Sequence, residues 1–495
     1  MVHVIGGGLA GCEAAWQVAS RGVSVTIHEM RPVRPTEVHQ TDQLAELVCS
    51  NSLRSDKLDN AVGLLKEEMR RLGSLVVRVA DATRVPAGAA LAVDRGLFSQ
   101  QITDAVVGHP LIRVVREEIT AVPPADLDRA STIIATGPLT SPALSLQIAA
   151  LVGQSHLYFY DAISPIVLFE TIDRTRVFRA SRWGRSLRPF DSAAASGRRT
   201  APGRLARGGA DEREGCGVAE EGDYLNCPLD VDEYRRFYDA LVRAEPASVH
   251  DFDRERFFEG CLPIEVMAHR GVDTLRFGPM RPVGLVDPRT GRQPYAVVQL
   301  RQDNLAGDHY SLVGFQTQLK WSEQARVLRL IPGLERAEFV RYGMVHRNTY
   351  INGPAILRDT WQTRTRPDLF FAGQVSGVEG YVESAASGLV AGINAAALAR
   401  GEEPEAPPRT TAIGALGYYV SHAEPLGYQP TNITFGIMES LERATGSRPR
   451  RRLRRAERNL ALAERALKDL DGWIRAAEQA GKPWHEGARQ SEPSL

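Results

Sequence analysis

The feature that most restricts this chain stands at its start. Residues 2–5 are a short β-branched run leading into Gly6-Gly7-Gly8-Leu9-Ala10-Gly11, a helical stretch CEAAWQVASRG that closes on Gly22, and a second apolar run, VSVTIHE, tipped by Glu29. Strand, glycine turn, helix, strand and acid is the order of a dinucleotide-binding unit. Gly6, Gly8 and Gly11 let the backbone turn tightly, approach a pyrophosphate and pack helix on strand, while the helix start offers unpaired N–H groups and the positive end of a dipole. Glu29, 18 residues beyond Gly11, is placed to accept ribose hydroxyls, and Arg31 to help position phosphates. VVREEI and STIIATG read as further strands of the same sheet, the second ending on Thr136-Gly137, with a helix over DRGLFSQQITDAV before them.

The other half of the site returns late. PDLFFAGQVSGVEGYVESAASGLVAGINAAALARG reads as a buried strand, a glycine-broken turn at Gly373-Gln374 and a small-residue helix, which sets a second helix N-terminus beside a cofactor. GQVSGVEG does not have the spacing of a second GxGxxG, and no redox cysteine pair is present. One permanent dinucleotide, FAD, with a nicotinamide donor visiting transiently, is the economical assignment. Residues 166–329 mix an aromatic-rich helix, DEYRRFYDAL, with Pro- and Gly-rich loops and read as an insertion. The expected fold class is α/β: a Rossmann-like, glutathione-reductase-type FAD domain (1–165 and 330–445) interrupted by an α+β domain (166–329) and followed by a basic helical tail (446–495).

Composition narrows the function. Hydrophobic residues at 43% and charged residues at 24% are close to globular averages, which excludes a disordered chain. Within it, residues 185–221 are poor in large apolar side chains and read as a disordered insert. Sixty cations balance sixty anions, so nucleic acid must be met by a local patch. The tail offers one, in Arg448, Arg450, Arg451, Arg452, Arg454, Arg455 and Arg458, although a cation set biased toward arginine weakens any such run as a signal. Five cysteines without CxxC spacing argue against a disulfide framework and structural zinc, and the histidines show no metal-ligand spacing. No uninterrupted apolar run reaches the ~18 residues of a membrane span, and the N-terminus lacks a basic leader; a cytoplasmic location and no membrane contact are the expectation.

Longer strings carry more than the glycine motif. IGGGLAGCEAAW, HEMRP, ELVCSNSLRSD, YLNCPL, GFQTQLKWSEQARVLRLIPGLERAEFVRYG, HRNTYING and FFAGQVSGVEGYVESAASG resemble those of the folate- and FAD-dependent tRNA uracil-5-methyltransferases, from residue 2 to about 470, interrupted chiefly at 185–221. The resemblance implies a flavoenzyme that takes a one-carbon unit from methylenetetrahydrofolate, uses NAD(P)H as reductant, and builds ribothymidine in the T loop of tRNA, with no stable protein partner. Two other readings stay beside it: the related, longer flavoprotein that installs carboxymethylaminomethyl groups on wobble uridine, and a flavin-dependent small-molecule oxidoreductase.

The chemistry calls for a cysteine. Uracil C5 is a poor nucleophile until something adds to C6, and a thiolate both attacks and leaves readily. Cys227 in YLNCPL matches the family position of the C6 nucleophile, and Cys49 in LVCSNSLRS a second family cysteine, general base or assisting thiol; the two roles can be exchanged. Cys12 and Cys216 read as inert and Cys261 as a core residue. His346 and Tyr350, with Arg347 and Asn348 between them, offer flat and polar groups for a pterin stacked on the flavin, against the plainer reading of a satisfied loop histidine and a core tyrosine.

Overall fold

The computed structural model describes residues 1–36, 38–125, 130–153, 157–184, 222–247, 262–441 and 454–480, with 157–162 and 345–347 described as backbone alone. The segment 185–221 with its Cys216, Cys261, the arginines from 448 to 452 and the His346 side chain lie outside the described residues.

Two sheets carry the fold. The first is parallel throughout, in the order Leu369–Phe371, Ser131–Ile134, Val2–Ile5, Val25–Glu29, Ile112–Arg116. Ser131–Ile134 and Leu369–Phe371 are buried at every position, as parallel strands covered on both faces must be. Pairing of Leu369 with Thr132 brings the late segment beside the N-terminal one. Helix Tyr381–Ala399 then crosses helix Leu9–Ala19 at backbone contact. A Cβ on Gly388 would sit 2.2 Å from the Ala10 carbonyl oxygen, and one on Gly392 2.5 Å from that of Ala14. Length and mean hydropathy alone would let Tyr381–Ala399 cross a membrane, yet its most apolar window is 78% buried inside the protein; its composition is that of a core helix.

The second sheet is antiparallel, in the order Phe178–Ala180, Tyr224–Leu229, Ala296–Gln302, His309–Leu312, Ile166–Leu168, Phe339–Arg341. Its core gathers Leu225, Cys227 and Leu229 with Tyr234 and Phe237 of helix Val231–Val242. This sheet runs past the boundary expected at 329, because Ile331, Leu334 and Ala337 bury their side chains in its core and Phe339–Arg341 supplies its edge strand. The chain enters and leaves this unit through a two-stranded antiparallel ribbon, Leu157–Ala162 with Val345–Tyr350.

Helix Arg455–Gln479 buries Leu462, Ala463, Ala466 and Leu470, a stripe of helical period. Ion pairing of Arg71 with Asp471 at 2.7 Å and donation from Arg465 to the Glu439 carbonyl at 2.6 Å hold it on the first unit. Arg455 and Arg458 stand on its exposed side.

Candidate active site

A cleft opens at the C-terminal ends of the parallel strands, where ligands of such sheets bind. Gly6, Gly7, Gly8, Leu9, Ala10, Glu29, Arg31, Thr136, Gly137, Gly373 and Gln374 all line it. The helices starting at Leu9 and Tyr381 both begin on this cleft, and neither start carries a side-chain cap, so their first N–H groups remain to be met by a ligand. Gly11 sits behind the turn, packed on the Gly6 carbonyl.

Glu29 accepts the Gly7 N–H at 2.7 Å through one oxygen, and the Arg31 N–H at 3.0 Å and Nε at 2.9 Å through the other. Burial on its own would push this carboxyl up; the Arg31 guanidinium and these bonds outweigh it and hold Glu29 below the usual carboxylate range. It is therefore an anionic acceptor suited to ribose hydroxyls. The Arg31 guanidinium also binds the Thr41 carbonyl at 3.1 Å and Glu46 at 3.3 Å. It braces the 39–46 loop against the acid rather than standing ready for a phosphate. Two uncapped helix starts, an acid on the second strand and glycines that leave room for close approach together fit a dinucleotide such as FAD.

A second cavity adjoins this cleft, and Val48, Pro138, Gln374, Tyr381 and Ser384 form walls of both. Cys49 lines it, half-buried. The Tyr381 hydroxyl oxygen accepts the N–H groups of Cys49 at 2.7 Å and Ser50 at 3.2 Å, which fixes the thiol-bearing loop to the first turn of the late helix. From the second sheet, Arg301 donates to Asn51 Oδ1 at 2.9 Å and Ser50 Oγ at 2.8 Å. Arg95 bridges the units by pairing with Asp303 at 3.0 Å and donating to the Leu47 carbonyl. Arg95, Arg301 and Arg341 all lie within electrostatic reach of Cys49.

Cys227 is placed otherwise. Period-two alternation along Tyr224–Leu229 puts it with Leu225 and Leu229 in the core of the antiparallel unit, fully buried, while Tyr224 on the opposite face donates to the Ala87 carbonyl of the first unit at 2.9 Å. Burial pushes the Cys227 thiol up. It lines neither of these two cavities. Tyr350 is likewise absent from both walls; it is buried edge-on to Tyr428 and donates to the Tyr428 carbonyl at 3.1 Å. Cys12 is buried with its thiol on the Gly7 carbonyl.

The family described as glucose inhibited division protein A matches residues 1–199 and 209–403. A methylenetetrahydrofolate–tRNA-(uracil-5-)-methyltransferase, TrmFO, of Desulforudis audaxviator is 56% identical over 96% of this chain and 98% of its own. That of Moorella thermoacetica is 54% identical over 97% and 99%. The chain belongs to the TrmFO family. Among solved structures, GidA of Aquifex aeolicus superposes with a TM-score of 0.65 at 17% identity, over 97% of this chain and 76% of that one, and so shares the fold.

Sequence reasoning passed over Tyr381, Arg301 and Lys66. Lys66, fully buried on helix Ala61–Arg71, donates to the carbonyls of Leu53 (2.8 Å), Ser55 (2.6 Å) and Arg54 (3.4 Å), holding the strand that follows Cys49. A lysine inside an otherwise apolar helical stripe was its only signal. Burial, against the pull of Asp56, brings its amine down to about 7. Between about pH 7 and the ordinary lysine range the unfolded chain therefore holds the extra proton, and this residue makes the native state more stable as pH rises through that window. Lys66→Met is expected to cost on the order of 3 kcal/mol by leaving carbonyls unmet and to remove that slope, as read by thermal unfolding across pH 7 to 10.

Proposed function

We propose that this protein methylates C5 of a uridine in the T loop of tRNA, taking the one-carbon unit from methylenetetrahydrofolate, with FAD in the cleft and NAD(P)H as reductant. The observation that carries this reading is a cysteine lining a cavity of about 440 Å³ that shares walls with the dinucleotide cleft. Identity of 54–56% to TrmFO relatives over nearly the full length favours it over the wobble-uridine flavoprotein, and the cavity-lining cysteine favours it over a small-molecule oxidoreductase, which has no need of one.

The chain's own part begins with the Cys49 thiolate adding to uracil C6, which puts negative charge on C5 and O4. Tyr381 and Arg301 fix the loop that delivers the sulfur, with the guanidiniums of Arg95, Arg301 and Arg341 within electrostatic reach of it. Glu29 and the two open helix starts would hold the adenosine and pyrophosphate of FAD. When bound, the flavin supplies carriage of the one-carbon unit and the hydride that completes the methyl group. Cys227 then serves the packing of the antiparallel unit, which supplies Arg301 and one wall of the second cavity. Arg455 and Arg458, exposed on the docked tail helix, extend a basic surface toward RNA phosphates.

Purified protein given unmodified tRNA, NADPH and methylenetetrahydrofolate labelled in its methylene carbon should place the label in T-loop ribothymidine. Label confined to small molecules, or recovered at the wobble position, would reject the reading.

A further inference from the structure

Two small molecules have to reach the flavin: NAD(P)H, which gives up a hydride, and methylenetetrahydrofolate, which gives up its carbon. The cleft accounts for the adenosine and pyrophosphate of FAD, and the seat of the nicotinamide donor is still to be found.

A second dinucleotide unit does not supply it among the described residues. The inserted unit is built on an antiparallel sheet, without the parallel strand, glycine turn and open helix start that hold a pyrophosphate. Its longest described helix, Val231–Val242, closes its own start. Asp230 accepts the Glu233 N–H at 2.7 Å, Glu233 accepts the Asp230 N–H at 3.0 Å, and Asp232 adds a further acid to the first turn, so that end repels a phosphate. Three further cavities, beside Arg400, Arg289 and Phe277, share no wall with the dinucleotide cleft.

The second cavity does share walls with it. At about 440 Å³ it has the size of a site for one small molecule at a time, and its lining suits either ligand. Leu312, Val313 and Pro138 give a flat ring an apolar side, with Ser52, Ser311 and Gln316 as polar neighbours. Among the described lining residues two guanidiniums, Arg54 and Arg301, stand against one carboxylate, Glu379. Arg54, on strand Ser52–Ser55, holds a left-handed φ of +61°, a cost that a chain carries where a side chain has to be aimed. It pairs with the buried Glu383 and keeps its side chain 39% exposed. Arg301 comes from the opposite unit and is held by Asn51 and Ser50. NAD(P)H and folate present the same outline to such a lining: a flat heteroaromatic head, and an anionic end made of phosphates in the first and glutamyl carboxylates in the second, both of which guanidiniums bind well.

We propose that this one cavity receives NAD(P)H and methylenetetrahydrofolate in turn, with Arg54 and Arg301 holding the anionic end of each, so that the two exclude one another; the assignment rests on the methyltransferase reading above. NAD(P)H comes first. Its C4–H bond breaks, the hydride with its electron pair passes to the flavin, solvent supplies the accompanying proton, and the dihydronicotinamide becomes the pyridinium of NAD(P)+. Folate enters only after NAD(P)+ has left.

The test uses flavin-loaded wild type without RNA. Anaerobic reduction by NADPH, followed through the loss of flavin absorbance, should slow as tetrahydrofolate is added, with the NADPH concentration for half-maximal rate rising and the limiting rate unchanged. In equilibrium dialysis tetrahydrofolate should displace NADP+ completely. Arg54→Gln should keep its flavin and bind both ligands on the order of tenfold more weakly, the worth of one charge-assisted hydrogen bond. Ser164→Phe, at a position that lines the second cavity and not the cleft, should keep its flavin and lose both ligands together. Reduction by NADPH that is unaffected by saturating tetrahydrofolate would overturn the shared site, and so would a Ser164→Phe enzyme that loses folate yet is reduced as fast as wild type. Wild-type enzyme that is reduced by NADPH and binds no tetrahydrofolate would instead reject the methyltransferase reading itself.

Discussion

Replacing Cys49 by alanine is expected to abolish the covalent complex with RNA carrying 5-fluorouracil at the target, and replacing Cys227 is expected to leave that complex intact. Fluorine at C5 cannot leave as a proton would, so the C6–sulfur bond persists and reports which thiol attacked. Cys49 lines the cavity beside the dinucleotide cleft and lies within the field of three guanidiniums. Cys227 is fully buried among Leu225, Leu229, Tyr234 and Phe237 and would have to leave that core to reach a base. Methyl transfer by Cys49→Ala should fall by three or more orders of magnitude, the scale seen when a nucleophile is removed, with flavin content unchanged. Cys227→Ala should lose about 1 kcal/mol of stability through one missing core atom and keep most of its turnover. Denaturing gels of the two variants with fluorinated RNA decide it. An adduct that survives in Cys49→Ala and disappears in Cys227→Ala would require the antiparallel unit to open during the reaction.

The sequence made the first sheet legible because its signals are local. A glycine turn between two strands, an acid at the tip of the second and the run DLFFAG each have a chemical reason to be where they are, and together they locate the cofactor cleft. The different settings of the two thiols were also visible in the sequence. In YLNCPL, Leu225, Cys227 and Leu229 share one face of a strand and Tyr224, Asn226 and Pro228 the other; a period of two places the thiol with the leucines. A matching family string says that a cysteine belongs at that position, but the alternation says which way it points. Tyr381 and Arg301 were hidden for a different reason. They act across long separations, Tyr381 on a loop 332 residues earlier and Arg301 on Asn51, and no local pattern announces a contact that only the assembled sheets create. The tail helix shows the same limit: its arginines were plain, while the stripe that docks it had meaning only against helix Ala61–Arg71.

Two glycines of the first turn should separate cofactor loss from misfolding. At Gly8 the backbone is extended, φ −77° and ψ −170°, and a Cβ would meet nothing within 4 Å, so a side chain there projects into the cleft without disturbing the protein. At Gly11 a Cβ would fall 1.9 Å from the Gly6 carbonyl oxygen, a backbone atom that cannot step aside without moving strand Val2–Ile5 against helix Leu9–Ala19. Gly8→Val is therefore expected to purify as folded, colourless protein with flavin affinity reduced roughly a hundredfold, about 2.7 kcal/mol, and with the melting temperature of flavin-stripped wild type. Gly11→Val should lose flavin to a similar degree and also melt well below that reference, since forcing atoms into a closed contact costs about 1–3 kcal/mol or more. Absorbance of bound flavin and calorimetry of the stripped proteins provide both readings. Full flavin occupancy in Gly8→Val would move the pyrophosphate away from the first helix start. Equal melting of the stripped Gly11→Val variant and wild type would mean that the strand and helix are not locked through this contact, and that the glycine serves the ligand alone.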